Sequence, residues 1–184
     1  MSLLDIHVLG SPALRETTEP VAAVTDELRL LIDDMFETMY AAKGIGLAAP
    51  QVGRRERITV VDVDESPIAL VNPEIVLSEG KIRGEEGCLS MPEIYGDVDR
   101  AARVVVRGLD RDGRPLEVEG TELLSRCLQH EIDHLHGRLF IDYLSVLKRR
   151  SAIAKWEKER AKYPSLRRTI SPKELAEQHN EEAL

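Results

Sequence analysis

The chain has 184 residues, of which 42% are hydrophobic and 32% charged, and its formal net charge is −8. This composition predicts one soluble globular domain with a core large enough to fold unaided. The sequence shows neither a secretory signal at its start nor the run of roughly 20 apolar residues that spans a membrane. Its two cysteines could form one disulfide, but we expect a cytoplasmic protein, in which the thiols stay reduced.

The first clear element is an amphipathic helix over residues 25–42, where apolar side chains recur with helical spacing. Thr25 can cap its N-terminus and Gly44 can end it. Residues 44–53 are mostly small and follow no period.

Strand patterns dominate the middle of the chain. The β-branched runs lie at residues 58–63, at 69–71 with a continuation over 74–78 after Asn72-Pro73, at 104–109, and at 115–119. Asp110 to Gly113 is a turn sequence, so the last two runs are predicted to form a hairpin.

Two further helices are predicted, over residues 121–135 and over residues 145–163, where Pro164 ends the second. The predicted fold class is α+β, with mostly antiparallel or mixed small β-sheets around a central α-helix, and with an N-terminal and a C-terminal helix. We expect residues 1–163 to form a single domain that includes the basic helix 145–163. Residues 164–184 are a tail extension in which Ser171 and Glu174 can cap a short helix.

The predicted central helix carries the sequence His130-Glu131-Ile132-Asp133-His134. Two histidines four residues apart project from one helix face with Cβ atoms roughly 5–6 Å apart, within reach of one ion. Glu131 can then approach the site as a base without binding the ion. These residues supply two ligands and a base of a hydrolytic centre, which needs a third protein ligand.

Three sets of side chains are candidates for that third ligand. One class of metalloproteases uses a histidine six residues after the second one, but Phe140 stands at that position. Glu157 and Glu159 have the spacing of another class, yet they lie in the basic helix. Cys88 follows a glycine and precedes Leu-Ser-Met-Pro, a poor setting for a helix packing residue, although burial is the usual fate of a free cysteine.

Three segments together resemble peptide deformylase of the bacterial type 1. They occur in the order and at the separations of that family, and the likeness covers roughly residues 1–163. The segments are Gly44-Ile45-Gly46-Leu47-Ala48-Ala49-Pro50-Gln51, Glu86-Gly87-Cys88-Leu89-Ser90 and Gln129-His130-Glu131-Ile132-Asp133-His134-Leu135-His136-Gly137.

The resemblance implies a metal-dependent hydrolase that removes the N-formyl group from the N-terminal formylmethionine of nascent peptides and releases formate. It implies that Cys88, His130 and His134 hold one divalent ion, with water in the fourth position. The native ion would be Fe²⁺, and Zn²⁺, Ni²⁺ or Co²⁺ could replace it. Glu131 would act as the base.

The resemblance also implies roles for residues around the ion. The side-chain amide of Gln51 and the backbone N–H of Leu89 would donate hydrogen bonds to the oxyanion. The peptide main chain would bind along Ile45 and Gly46 like an added strand. The other substrate-binding residues that it implies are Gly87, Leu123 and Cys127.

Behind the ligands, the resemblance points to Glu86, Arg100 and Asp133. Asp133 is expected to orient a histidine ring, and Glu86 is expected to pair with Arg100. Tyr95 stands where some members of the family have an arginine, which leaves the preference beyond the second substrate residue open.

Residues 147–168 contain nine Lys or Arg and two Glu, a local charge of +7 in an otherwise acidic chain. This pattern predicts either a solvated helix or a polyanionic partner, and the resemblance implies contact with the ribosome. No membrane contact and no sequence-specific nucleic-acid binding are expected. Two other functions fit the same helix, namely a zinc endopeptidase and a ribosome-binding module with a structural metal site.

Overall fold

The structure, a computed structural model, describes residues 2–171 and residue 174. Within these residues the chain forms three antiparallel sheets and three α-helices, which confirms the predicted α+β class. The strands are β1 (Ile6–His7), β2 (Gly46–Ala48), β3 (Ile58–Val63), β4 (Ser66–Glu79), β5 (Ile82–Cys88), β6 (Met91–Arg100), β7 (Arg103–Leu109), β8 (Pro115–Thr121) and β9 (Arg167–Arg168). The helices are α1 (Asp26–Ala41), α2 (Glu122–Leu135) and α3 (Val146–Glu159).

The largest sheet has the strand order β2-β3-β4-β7-β8 and lies between two helices. Ile58 and Val60 of β3 pack with the apolar residues of α1, whereas Val61 and Val63 pack with those of α2. Side chains alternate between the two faces of a strand, so α1 and α2 cover opposite faces of the sheet. This double burial explains why β3 is an almost unbroken apolar run.

Helix α1 begins as predicted, because the Thr25 hydroxyl accepts a hydrogen bond from the backbone N–H of Leu28. It ends differently from the prediction. Lys43, with φ of 58°, takes the left-handed conformation expected of Gly44. The N–H groups of Lys43 and Gly44 donate to the carbonyls of Tyr40 and Met39, as in a Schellman motif.

The hairpin of β5 and β6 was not predicted from the sequence, although it carries Cys88 at its end. Its inner side packs through Ile94 and Val98 against Trp156 of α3, whose side chain is 1% exposed. The predicted strand over residues 69–71 does continue over 74–78, as part of β4. Asn72, with φ of 52°, lies in a bulge inside this strand.

Helix α3 is shorter than predicted, since Arg160–Lys162 form a 3₁₀ turn after Glu159. Beyond it, β9 pairs antiparallel with β1, and the buried side chain of Ile170 packs against Ile6. Ser171 and Glu174 exchange capping hydrogen bonds, but the rest of the predicted tail helix lies outside the described residues. In the described part of the chain, no helix is both long and apolar enough to cross a membrane.

Candidate metal centre

Two distant segments bring three metal-binding side chains together. Cys88 is the last residue of β5, and His130 and His134 lie on successive turns of α2. The Cys88 Sγ lies 3.4 Å from Nε2 of His134, which in turn lies 3.2 Å from Nε2 of His130. One donor atom from each residue falls within 4.8 Å of the other two, so the structure assembles the donor set that the resemblance implied.

The chemistry of this donor set fits a divalent ion. Two imidazole nitrogens that face each other at 3.2 Å need a shared proton or a shared cation between them. A thiolate beside two imidazoles suits Zn²⁺, Fe²⁺ and similar ions. Three protein ligands also leave a coordination position for water or substrate, as in catalytic rather than structural sites.

Glu86 orients the ring of His130. Its Oε2 accepts a hydrogen bond from Nδ1 of His130 at 2.8 Å, which leaves Nε2 of the neutral ring as the metal-facing nitrogen. Burial alone would raise the pKa of Glu86, but hydrogen bonds from His130 and Arg100 bring it down to about 2. Glu86 is therefore an ionised carboxylate, and its predicted pairing with Arg100 is present at 2.7 Å.

The expectation that Asp133 orients a histidine ring is wrong. Asp133 accepts hydrogen bonds from Nη1 of Arg100 at 2.6 Å and from the hydroxyl of Tyr143 at 2.8 Å. It follows His130 by three residues on α2, but its carboxylate reaches outward to the Arg100 guanidinium instead of a ring. Asp133 therefore acts on Arg100, which in turn holds Glu86.

Glu131 lies beside the three ligands and is almost fully buried, with 4% of its surface exposed. Its Oε2 has no hydrogen-bond partner among the described residues. Burial raises the pKa of Glu131 to about 7, because an ionised carboxylate loses its hydration there. A Cβ atom at Gly46 would lie 2.8 Å from Cγ of Glu131, so only glycine leaves room for this side chain.

Gln51 lies in a short 3₁₀ helix, Ala49–Val52, at the end of β2. Its Oε1 accepts a hydrogen bond from the backbone N–H of Ala48 at 2.9 Å, which fixes the amide. Its Nε2 donates to the Ser90 hydroxyl at 3.1 Å and lies 3.6 Å from Sγ of Cys88. The amide nitrogen thus lies at the edge of the ligand cluster and contacts Cys88 and Ser90, the two neighbours of Leu89 in the chain.

A cavity of about 730 Å³ opens onto the cluster. The substrate-binding residues that the resemblance implied all line it, namely Ile45, Gly46, Gly87, Leu123 and Cys127. Burial raises the pKa of the Cys127 thiol, and its Sγ lies 3.5 Å from the carbonyl of Ile45, so Cys127 is a wall residue and not a ligand. Tyr163 and Arg168, which follow α3 in the chain, also line this cavity.

Sequence reasoning missed Arg126, which is buried behind the ligands and pairs with Glu86 at 3.0 Å. A signal for it was present. Arg126, His130 and His134 are spaced by four residues, so the arginine shares the face of α2 that carries both histidines.

A thiol, two imidazoles and a buried carboxyl group at one cavity define a metal-dependent hydrolase. A sequence model described as polypeptide deformylase matches residues 3–150. The peptide deformylase of Hydrogenovibrio crunogenus is 58% identical over 164 residues, which cover 88% of this chain and 97% of that protein. The chain therefore belongs to the polypeptide deformylase family, whose members are metalloenzymes.

Solved structures agree with this assignment. A crystal structure of a peptide deformylase from Legionella pneumophila superposes with a TM-score of 0.84 at 48% identity, covering 87% of this chain and 96% of that one. The peptide deformylase of Ehrlichia chaffeensis in complex with actinonin gives a TM-score of 0.84 at 42% identity, with coverages of 86% and 98%.

Proposed function

We propose that the cluster of Cys88, His130 and His134 is the centre at which this deformylase removes the N-formyl group from N-formylmethionyl peptides and releases formate. The observation that carries the proposal is the convergence of the three donor atoms beside the buried Oε2 of Glu131, which has no hydrogen-bond partner in the described part of the chain. A purely structural metal site needs no such carboxyl group.

We propose Fe²⁺ as the native ion, with Zn²⁺, Ni²⁺ or Co²⁺ able to replace it, since a thiolate and two imidazoles accept all four. A bound divalent ion supplies Lewis acidity for the formyl carbonyl and for the attacking water. The protein fixes the orientation of the metal-binding side chains, and Glu86 does so for the His130 ring.

Glu131 moves the proton. Its Oε2 takes a proton from the attacking water and passes it to the amine nitrogen of methionine as the bond to the formyl carbon breaks. A carboxyl group whose pKa lies near the operating pH suits both halves of this transfer, and burial places Glu131 in that range.

The remaining residues of the site bind the substrate or stabilise the negative charge that develops on it. The Gln51 amide and the backbone N–H of Leu89 are the proposed donors to the negative oxygen that develops on the formyl carbon. The substrate main chain adds to the backbone of Ile45 and Gly46. Ile45 and Leu123 support a methionine pocket, because both are apolar residues of the cavity wall yet remain 43% and 50% exposed.

Formate release from formyl-Met-Ala-Ser by anaerobically purified protein tests the proposal. We expect release by the unmodified chain, and a loss of at least about 10²-fold in Glu131→Gln, since general acid–base catalysis contributes about that much or more. Glu122→Gln is the matched control, because Glu122 is exposed on the same helix. Unchanged activity in Glu131→Gln contradicts the mechanism, and peptide-bond cleavage without formate favours the endopeptidase.

The basic segment remains a proposed ribosome contact in a cytoplasmic protein. Lys148, Arg149 and Arg150 are exposed on the first turn of α3, whereas Trp156 on the same helix is buried core. Deleting the helix would remove that core residue, so charge reversal at 148–150 is the cleaner test. We expect weaker, salt-sensitive cosedimentation with ribosomes. The control reverses three exposed arginines elsewhere, Arg55, Arg83 and Arg114; equal binding by both variants contradicts the contact.

Residues 1–163 remain the proposed catalytic domain. The described part of the tail packs on this domain through β9 and the buried Ile170. Together with Tyr95, Arg168 of this tail lines the cavity, and we propose that later residues of the substrate contact these two side chains.

A further inference from the structure

Arg126 is a buried cation that the proposed reaction does not use. Its side chain is 10% exposed and makes three hydrogen bonds across the hairpin of β5 and β6. Nη1 donates to Oε1 of Glu86 at 3.0 Å and to the carbonyl of Val98 at 2.9 Å, and Nη2 donates to the carbonyl of Ile82 at 3.0 Å. A buried charge is tolerated only when it is paired, and Glu86 is the anion that pairs with it.

The Glu86 carboxylate has all of its acceptor positions filled. Oε1 accepts from Nε of Arg100 at 2.7 Å and from Nη1 of Arg126, and Oε2 accepts from Nη2 of Arg100 at 3.0 Å and from Nδ1 of His130. A carboxylate offers about four lone-pair sites, so these four donors hold it in one orientation. Without Arg126, one site on a 3% exposed side chain would have no donor.

We infer that Arg126 is a positioning residue of the metal centre, which holds Glu86 against Nδ1 of His130 and so fixes where Nε2 of that ring points. Arg100 alone binds both oxygens from one side, whereas Arg126 approaches Oε1 from helix α2, which also carries His130. The guanidinium therefore ties the carboxylate to the helix whose ligand it orients. This inference rests on the proposed function, since it concerns a ligand of that site.

Gly84 on β5 makes room for this arginine. A Cβ atom at Gly84 would lie 3.0 Å from Nη2 of Arg126 and 3.2 Å from its Cζ. Three hydrogen bonds fix the guanidinium, so it cannot move aside without losing some of them. Gly84 and Arg126 thus form a matched pair, in which the small residue accommodates the large one.

Zinc affinity of the full-length chain, measured by competition with a chromophoric chelator, tests the inference with a readout other than activity. We expect Arg126→Met to bind Zn²⁺ roughly 10–100-fold more weakly than the unmodified chain, as is typical when a partner behind a ligand is lost. Ser125→Ala is the control. Ser125 is buried beside Arg126 and ties α2 to the carbonyl of Ala101 at 2.8 Å, but it does not contact Glu86.

A purely structural role predicts that Arg126→Met and Ser125→Ala lower the melting temperature and leave Zn²⁺ affinity unchanged, and that result overturns the inference. If Arg126→Met does not fold, Arg126→Lys decides. Lysine keeps the charge but cannot make the forked contacts, so weaker Zn²⁺ binding than in Ser125→Ala supports the inference and equal binding contradicts it. Failure of the unmodified chain to bind Zn²⁺ refutes the proposed function itself and the inference with it.

The pairing with Gly84 gives an independent check. Gly84→Ala is expected to weaken Zn²⁺ binding in the unmodified chain, because the added methyl group displaces Arg126. In the Arg126→Met background the same change is expected to have little further effect. Equal, additive effects in both backgrounds would show that Gly84 does not act through Arg126 and would contradict this step.

Discussion

Replacing Glu131 with glutamine is expected to stabilise the metal-free protein while it removes the proton carrier. Glu131 is 4% exposed, and its Oε2 has no hydrogen-bond partner among the described residues. Its ionised form therefore destabilises the folded state. Burial raises its pKa from 4.5 to about 7. A difference of that size corresponds to about 3 kcal/mol of unfolding free energy, at about 1.4 kcal/mol per pKa unit.

The sign of the pH dependence follows from proton binding. Between the pKa of the unfolded chain, roughly 4.3, and about 7, the folded state keeps the Glu131 proton while the unfolded state releases it. The stability due to this group is therefore full below the lower value and is lost as pH rises through about 7. Glutamine is neutral at every pH, and groups that do not interact with Glu131 cancel in the difference between the two proteins. His130 does interact with it, because the Glu131 charge raises the pKa of that ring.

Urea unfolding of chelator-treated protein at several pH values between 5 and 8 measures this difference. We expect Glu131→Gln to gain stability over the unmodified chain as pH rises, by about 3 kcal/mol above the folded pKa. Added Zn²⁺ should reduce the gain, because a nearby cation favours the carboxylate. Glu122→Gln, on the exposed face of α2, should show no such gain. A stability difference that does not change with pH would show that the pKa of Glu131 is not raised in the folded protein.

Three further changes test the site and the core. Gly46→Ala should lower kcat, measured by formate release, because its methyl group would displace Glu131; unchanged kcat would contradict that close contact. Gln51→Ala should lower kcat by about 10²–10³-fold with a smaller change in KM, as for loss of one oxyanion donor; an effect on KM alone would point to substrate binding instead. Trp156→Ala should lower the unfolding free energy by about 3–5 kcal/mol in chemical denaturation, whereas a loss below about 1 kcal/mol would place Trp156 outside the core.

The helices were predictable because their signals are local. Residues in adjacent turns determine the apolar stripe of α1, its Thr25 cap and the spacing of the two histidines on α2. The end of α1 was predicted within one residue, but Lys43 and not Gly44 adopts the positive φ that follows it. A positive φ at a lysine depends on the surrounding fold and cannot be recognised from the residue type.

The hairpin of β5 and β6 was not predictable in the same way. Its strands are rich in charged residues and glycine instead of β-branched residues, so they carry little strand signal. Their stability comes from packing on α3 and from Arg126, which reaches them from a distant helix. The resemblance to a known family supplied Cys88 as a candidate ligand, which the local pattern had left open.

The contacts of the residues behind the metal ligands show most clearly what could not be predicted from the sequence. The family resemblance led to the expectation that Asp133 orients a histidine ring. The structure gives this contact to Glu86, which is 44 positions away from His130 in the sequence. Contacts between residues so far apart in the sequence depend on how β5 packs against α2. No local sequence pattern encodes that packing.

X-ray absorption spectroscopy of the anaerobically purified, zinc-loaded chain tests the ligand set most directly. We expect one sulfur at about 2.3 Å and nitrogen or oxygen neighbours at about 2.0–2.2 Å, including two imidazoles. The sulfur shell should disappear in Cys88→Ser and persist in Cys127→Ser. A first shell without sulfur in the unmodified chain, or a sulfur shell that survives Cys88→Ser, would show that Cys88 is not a ligand.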